Sequence, residues 1–392
     1  MKRVVVVLKD DLVYYPPTIS LLNILIEMGL EVECVGIYSD VEGKARLEEN
    51  GVKFVPISRN IKDCSRIRLL NWIMIIWRMH KYTRALKQYL SNAHISSNDL
   101  IWFIYNDSIG LLQPVIEQYP YLLHFYEFED YSLGGRGKLL HPRYDPRRLL
   151  SKAKALVHCE YNRAMITNGL YGLNKEIFVL PNKPFENKNE YALDSPEEIA
   201  NIVEEVKNKT KGHKVILYQG IFNAAERRLD EFCEAIKRMP EDYIFIAMGG
   251  GGDYYEEMKK KYNSDRILFL PFIRPPYHLL ITQIANYGVL TYHPAGLNYV
   301  DVINPLYCAP NKIFEYSKFG IPMVANDVPG LKLIFDTFNC GKIIGYPITP
   351  EKIIDCFMTM DIDYSEMSKG AKQYYDSVDV KGIVKDILEK AK

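Results

Sequence analysis

The chain has 392 residues, 48% hydrophobic and 25% charged, which is too long for a single ordinary core. Lys+Arg and Asp+Glu are equal at 49 each, so no global field draws it to nucleic acid or a membrane surface. Its seven cysteines are odd in number and scattered, with no CxxC pair, which fits a reducing cytosol and argues against a disulfide framework or structural zinc.

The apolar run at residues 4–8, ended by Lys9, Asp10 and Asp11, is too short for a signal peptide and reads as a buried parallel strand. No stretch of the sequence is long enough to span a bilayer. "TISLLNILIEMG" follows as a helix stopped by Gly29, then "EVECVGIY" and "VKFVPI" as strands. Residues 66–87, "RIRLLNWIMIIWRMHKYTRALK", form a long helix with two tryptophans and seven basic residues including His80. Cations beside tryptophans suit a membrane interface, and an inter-domain or core-packing helix with a solvated basic edge is the alternative. "DLIWFIYN", "YLLHFYEF", "KALVHC" and "EIFVLPN" complete a series in which strands alternate with helices, the pattern of parallel βαβ units.

Residues 186–211 break the apolar pattern and read as a linker region between domains, 1–185 and 212–375, with an amphipathic helix at 376–392 able to pack back on the first. The alternation restarts at "KVILYQG", runs through "RRLDEFCEAIKRM" and "YIFIAMGGGG", and ends near "IPMVAND". The fold class expected is therefore α/β, with two doubly wound Rossmann-like domains facing a central cleft at the carboxyl ends of their strands.

"APNKIFEYSKFGIPMVAND" reads as a turn, a short helix and a strand, with Asn311 as N-cap and Gly320 as stop. Lys312 lies in the first helical turn, where the helix dipole disfavours a cation. With Glu315 three residues on it shares one helical face. A surface ion pair there is worth little. A bound anion gives the cation a purpose, because ammonium and helix-start N–H groups together hold phosphate, while Glu315 accepts hydrogen bonds from sugar hydroxyls.

"PNKIFEYSKFGIPMVA", together with "VILYQGIFNAAERRLDEFCEAIKRMPEDYIFIAMGGGG", resembles the signature of glycosyltransferase family 4, whose members have the two-domain GT-B fold; the match spans most of residues 212–345. The resemblance implies a retaining glycosyltransferase, moving a sugar from a nucleoside-diphosphate sugar to a glycan or lipid-linked glycan acceptor in bacterial surface polysaccharide synthesis. It implies donor binding by Gly220, where the phosphate approaches the chain, by Arg227 or its neighbour Arg228, and by Asn311, Lys312 and Glu315. Gly249 and Gly250 would form a donor-side loop. Tyr307 stands where the family's motif has its first glutamate, a departure from the pattern.

"LLHFYEFEDY" is similar to a family segment that often reads Tyr-Asp-x-His-Glu, with Glu129 where the histidine often stands; if functional, Glu127 or Glu129 would orient the acceptor hydroxyl or receive its proton, and solvated loop acids are the alternative. His124 falls in the strand pattern and reads as a core histidine. "DID" at 361–363 is read as a polar linker, and neither a metal nor a cofactor beyond the nucleotide sugar is expected. Nucleic acid is not an expected partner. A peripheral contact through 66–87 at the inner face of the plasma membrane would suit a cytoplasmic enzyme with a lipid-linked acceptor. A nucleotide-sugar epimerase on the same fold, or a non-catalytic partner protein, remains the alternative function.

Overall fold

The computed structural model describes residues 1–57, 68–106, 108–129, 143–185, 195–250 and 252–392, excepting the side chains of residues 68, 69, 71, 72 and 75. The chain divides into two compact units, Met1–Pro181 with Val380–Lys392, and Asn182–Asp379.

The first unit is built on seven parallel strands: β1 (Arg3–Asp11), β2 (Glu31–Ile37), β3 (Val52–Val55), β4 (Leu100–Ile104), β5 (Tyr121–Phe125), β6 (Leu156–His158) and β7 (Phe178–Val179). Their order is β3-β2-β1-β4-β5-β6-β7. Val4–Val7 of β1 and Leu100–Phe103 of β4 are fully buried, as unbroken apolar runs must be when helices cover both sheet faces. Strand order reverses between β1 and β4, which opens a crevice at their carboxyl ends. The helix Val380–Ala391 packs in this unit, with Lys381 paired to Glu27 and Lys390 3.0 Å from Glu176.

The second unit has six parallel strands: β8 (Lys214–Ile221), β9 (Tyr243–Gly250), β10 (Ile267–Leu270), β11 (Tyr287–Leu290), β12 (Met323–Asn326) and β13 (Gly341–Ile344). The order β10-β9-β8-β11-β12-β13 puts its reversal between β8 and β11. The two-residue period of β8 feeds both cores: Val215 and Leu217 enter one, Ile216 and Tyr218 the other.

Part of the polar stretch expected as a linker, the helix Glu197–Thr210, belongs to this unit, because Val203 and Val206 of its apolar stripe are buried in the core. Residues 186–194 of that stretch lie outside the described residues. The "DID" acids differ from expectation in another way. Asp361 is in the helix Pro350–Ile362 and accepts hydrogen bonds from Tyr243, Tyr287 and, at 2.6 Å, Lys214. It is a structural tie between that helix and the strands.

Candidate active site

The carboxyl end of β8 is shaped by glycine. Gly220 has φ +141°, and a Cβ there would lie 3.1 Å from Lys312 Nζ. Its register partner on β9, Gly249, has φ +154°, and a Cβ would fall 1.9 Å from the Gly220 carbonyl oxygen. Strand ends this close admit only glycine. Gly250 follows, facing Phe272; Gly251 lies outside the described residues.

The helix Asn311–Lys318 brings Lys312 and Glu315 to this end. Pro310 holds the N-cap position with no side-chain capping bond, so Asn311 is the first helical residue and not the cap expected from sequence. Pro310 is extended (φ −72°, ψ 135°), and helical dihedrals begin at the residue after it. The helix-start amides consequently receive no acceptor from a cap side chain.

Lys312 is not on the surface. It is 9% exposed, with Nζ 4.3 Å from the ring centre of Tyr218 and 5.3 Å from that of Tyr292. Arg227, 7% exposed, lies over the same Tyr292 ring at 4.4 Å. Its Nη1 donates to the Thr291 carbonyl at 3.4 Å and pairs with Glu226 at 3.3 Å. Burial pushes the Lys312 pKa well below its ordinary value, and the like charge of Arg227 adds to this against the attraction of Glu315.

Arg228, the alternative to Arg227 in sequence, goes elsewhere. It takes a left-handed conformation (φ +48°) between the helices Ala224–Arg227 and Leu229–Arg238, and its side chain pairs with Glu231 at 2.5 Å. Of the two arginines, Arg227 joins the Lys312 cluster.

Both oxygens of Glu315 are held. Oε2 accepts from Gln219 Nε2 at 2.5 Å, Oε1 lies 3.1 Å from His278 Nε2, and Gln219 is fixed in turn by Thr282 Oγ1 at 2.8 Å. Burial alone would raise the Glu315 pKa; His278, Gln219 and Lys312 outweigh it and keep the group below the usual carboxylate range. Sequence reasoning missed Tyr218, Gln219, His278, Thr282 and Tyr292. Gln219 had a signal, since it directly precedes Gly220 on an inward-facing strand position; His278 in "RPPYHLL" had none. Tyr307 ends the helix Tyr299–Leu306 and carries no charge to this cluster.

Four buried polar atoms here have no hydrogen-bond partner among the described residues: Arg227 Nε, Thr291 Oγ1, His278 Nδ1 and His293 Nε2. Native interiors pair nearly all such atoms, so these four are open to a further polar partner.

In the first unit, a cleft at the carboxyl ends of β1, β4 and β5 is lined by Asp10, Tyr15, Asn106, Tyr126, Glu127 and Glu129, among others. The structure thus places both candidate acids at one crevice. Glu127 has an exposed carboxyl whose Oε2 is 3.1 Å from Nη1 of buried Arg163. Tyr126 Oη lies 2.7 Å from the Thr18 hydroxyl. His124 is buried behind this rim. Its Nδ1 accepts from Trp102 Nε1 at 3.2 Å, and burial lowers its pKa to about 3.

The helix Arg68–Asn92 exposes Leu70, Ile73 and Trp77, with Lys81 Nζ 5.1 Å from the Trp77 ring centre. Residues 66 and 67 of the expected interface helix, and the side chain of Trp72, lie outside the described residues. Among the described residues, no helix is long and apolar enough to cross a membrane and no cluster of metal-binding side chains occurs.

No protein-family model and no curated protein matches the sequence. Solved structures do. HepE of Anabaena, in complex with UDP and glucose, is 13% identical with TM-score 0.61, over 99% of each chain. A glycosyltransferase from Rickettsia africae is 12% identical with TM-score 0.66, over 100% of this chain and 97% of its own. Sucrose-phosphate synthase of Thermosynechococcus elongatus is 13% identical with TM-score 0.61, over 100% of this chain and 96% of its own. At such low identity the similarity establishes the architecture: the chain has the GT-B fold, two Rossmann-like α/β domains.

Proposed function

We propose that the protein is a retaining glycosyltransferase that moves a sugar from a nucleoside-diphosphate sugar to a glycan or lipid-linked glycan in surface polysaccharide synthesis. One observation carries the donor side: two buried cations, Arg227 and Lys312, lie against the same tyrosine ring beside a strand end cleared by Gly220. Departure of a nucleoside diphosphate builds negative charge on its oxygens, and fixed cations in a dry site stabilise that charge without reorganising. Arginine serves as a planar fork, lysine as a point charge. Glu315, already oriented by His278 and Gln219, would accept from the donor's ribose hydroxyls. The acceptor would enter the first unit's crevice, where Glu127 or Glu129 meets its hydroxyl. The stripe Leu70, Ile73, Trp77 and Lys81 would bring the protein to the membrane that carries such an acceptor.

A second reading, a nucleotide-binding protein without catalysis, is favoured by the tie between Glu127 and Arg163, which engages one candidate base. A thermal-shift panel of UDP-, GDP-, ADP- and TDP-sugars tests the donor site, since a ligand of the native state raises the melting temperature with the logarithm of its excess over Kd. Arg227→Ala and Glu315→Ala should each abolish the shift while leaving a folded protein. Wild-type responses from both variants would refute the assignment. Turnover with an acceptor separates enzyme from binding protein.

A further inference from the structure

His293 follows β11 and was singled out by no sequence motif. It is 4% exposed, and its main-chain N–H donates to the carbonyl of Glu226, the residue before Arg227, at 2.9 Å. The hydrogen bonds around it favour one tautomer of the ring. Buried Asn326 clamps the backbone of Tyr292: Oδ1 accepts from its N–H at 2.7 Å and Nδ2 donates to its carbonyl at 2.8 Å. That orientation makes Nδ2 the donor to Tyr346 Oη as well, at 3.1 Å. With that bond accepted, the Tyr346 hydroxyl is free to turn its own hydrogen toward His293 Nδ1, 3.4 Å away. This arrangement assigns Nδ1 as the acceptor and leaves the proton on Nε2. Nε2 is buried and has no partner among the described residues.

We propose that His293 is a third donor to the diphosphate, its Nε2–H presented by the chain Asn326–Tyr346–His293 to an anion held by Arg227 and Lys312. This rests on the donor-site reading above. Burial, with Arg228 and Arg227 nearby, lowers the His293 pKa to about 4, so the ring is a neutral donor and adds no third charge to repel the two cations. The arrangement resembles an oxyanion site in which a fixed neutral N–H complements fixed positive charge.

Inorganic pyrophosphate is a probe that needs no knowledge of base or sugar, and calorimetry on the full chain reads its affinity. The expected pattern is binding by wild type, loss in Arg227→Ala, and affinity about tenfold weaker in His293→Ala, the scale of one hydrogen bond to a charged group. His293→Gln, whose amide nitrogen reaches the place of Nε2, should restore binding to within about threefold, which a purely structural role would not do. Tyr346→Phe should weaken binding by about twofold to threefold, because Nδ1 loses the donor that fixes the tautomer. If Arg227→Ala abolishes binding while both His293 variants bind as wild type, the role of His293 is overturned and the donor site stands. If wild type and Arg227→Ala bind alike or not at all, the donor site itself is wrong.

Discussion

The two strand-end crevices of this molecule differ in how far their acids are buried. At the carboxyl end of the second sheet the charged groups are buried and held: Arg227, Lys312 and Glu315 are each under 10% exposed, and Glu315 is engaged through both oxygens. At the carboxyl end of the first sheet the acids stand out, Glu127 with 59% of its side chain exposed, and the buried groups behind it are the cation Arg163, 3.1 Å from Glu127, and the histidines His124 and His158, whose pKa values burial lowers. A preformed, dry arrangement of charge suits a ligand that is always the same, a diphosphate. An open rim with accessible carboxylates suits a larger ligand that must offer one hydroxyl. The two units share an architecture, and the burial of their acids distinguishes the two strand ends.

The sharpest way to break this comparison is to alter one side and watch the other. Glu127→Gln should reduce kcat by about a hundredfold, the scale of losing a general base, while the thermal shift with nucleotide sugar stays at the wild-type value. Loss of the shift would mean the two crevices do not divide the labour as described.

Lys312→Met should do the reverse, removing the nucleotide-induced shift while making the ligand-free protein about 1–2 kcal/mol more stable, since an apolar side chain of similar length replaces a buried cation beside another cation. The pH dependence follows from the same cause. The Lys312 pKa in the folded chain lies well below the 10.5 of the unfolded chain. Its contribution to stability is thus fully present above pH 10.5 and is lost as pH falls through the lowered folded value. Lys312→Met should flatten that part of the profile; an unchanged alkaline slope would contradict the buried-cation account.

The first unit carries the corresponding acid effect. His124 and His158 are buried, each with pKa lowered to about 3 by burial first of all. Their contribution is present above the unfolded value of 6.5 and is lost as pH falls toward about 3, at up to about 1.4 kcal/mol per pH unit for each ring. His158 stacks on Phe125 at 4.7 Å and neither of its nitrogens has a partner among the described residues. His158→Phe should therefore remove one such contribution from the acid slope, measured by urea melts between pH 4 and 6.5. The smallest effect is at the surface: Lys81→Glu, beside exposed Trp77, should weaken partition into vesicles containing anionic lipid by about tenfold, and no change would remove the membrane contact.

Much of the architecture was legible because it rests on local periodicity. The run of valines in β1, the alternation of strand and helix, and Gly220 ahead of an arginine-bearing turn are statements about neighbours in sequence. Lys312 was legible as an oddity of helix polarity, yet its burial was not, because that depends on Tyr218 and Tyr292 arriving from β8 and from the end of β11. The choice between Arg227 and Arg228 needed a single backbone angle that two adjacent arginines do not advertise. His278 and His293 reach the site through segments with no repeating pattern, so only the folded chain brings them to Glu315 and Arg227. The capping of the 311–318 helix went the other way: asparagine is the better cap in general, but here Pro310 is the extended residue and Asn311 is already helical.

The most direct measurement is a crystal structure of the complex with whichever nucleotide sugar gives the largest thermal shift. Phosphate oxygens within hydrogen-bond distance of both Arg227 and Lys312, close against the Gly220 backbone, are the predicted result. A nucleotide lodged away from these two side chains, with both still packed on Tyr292 and no anion between them, would contradict it.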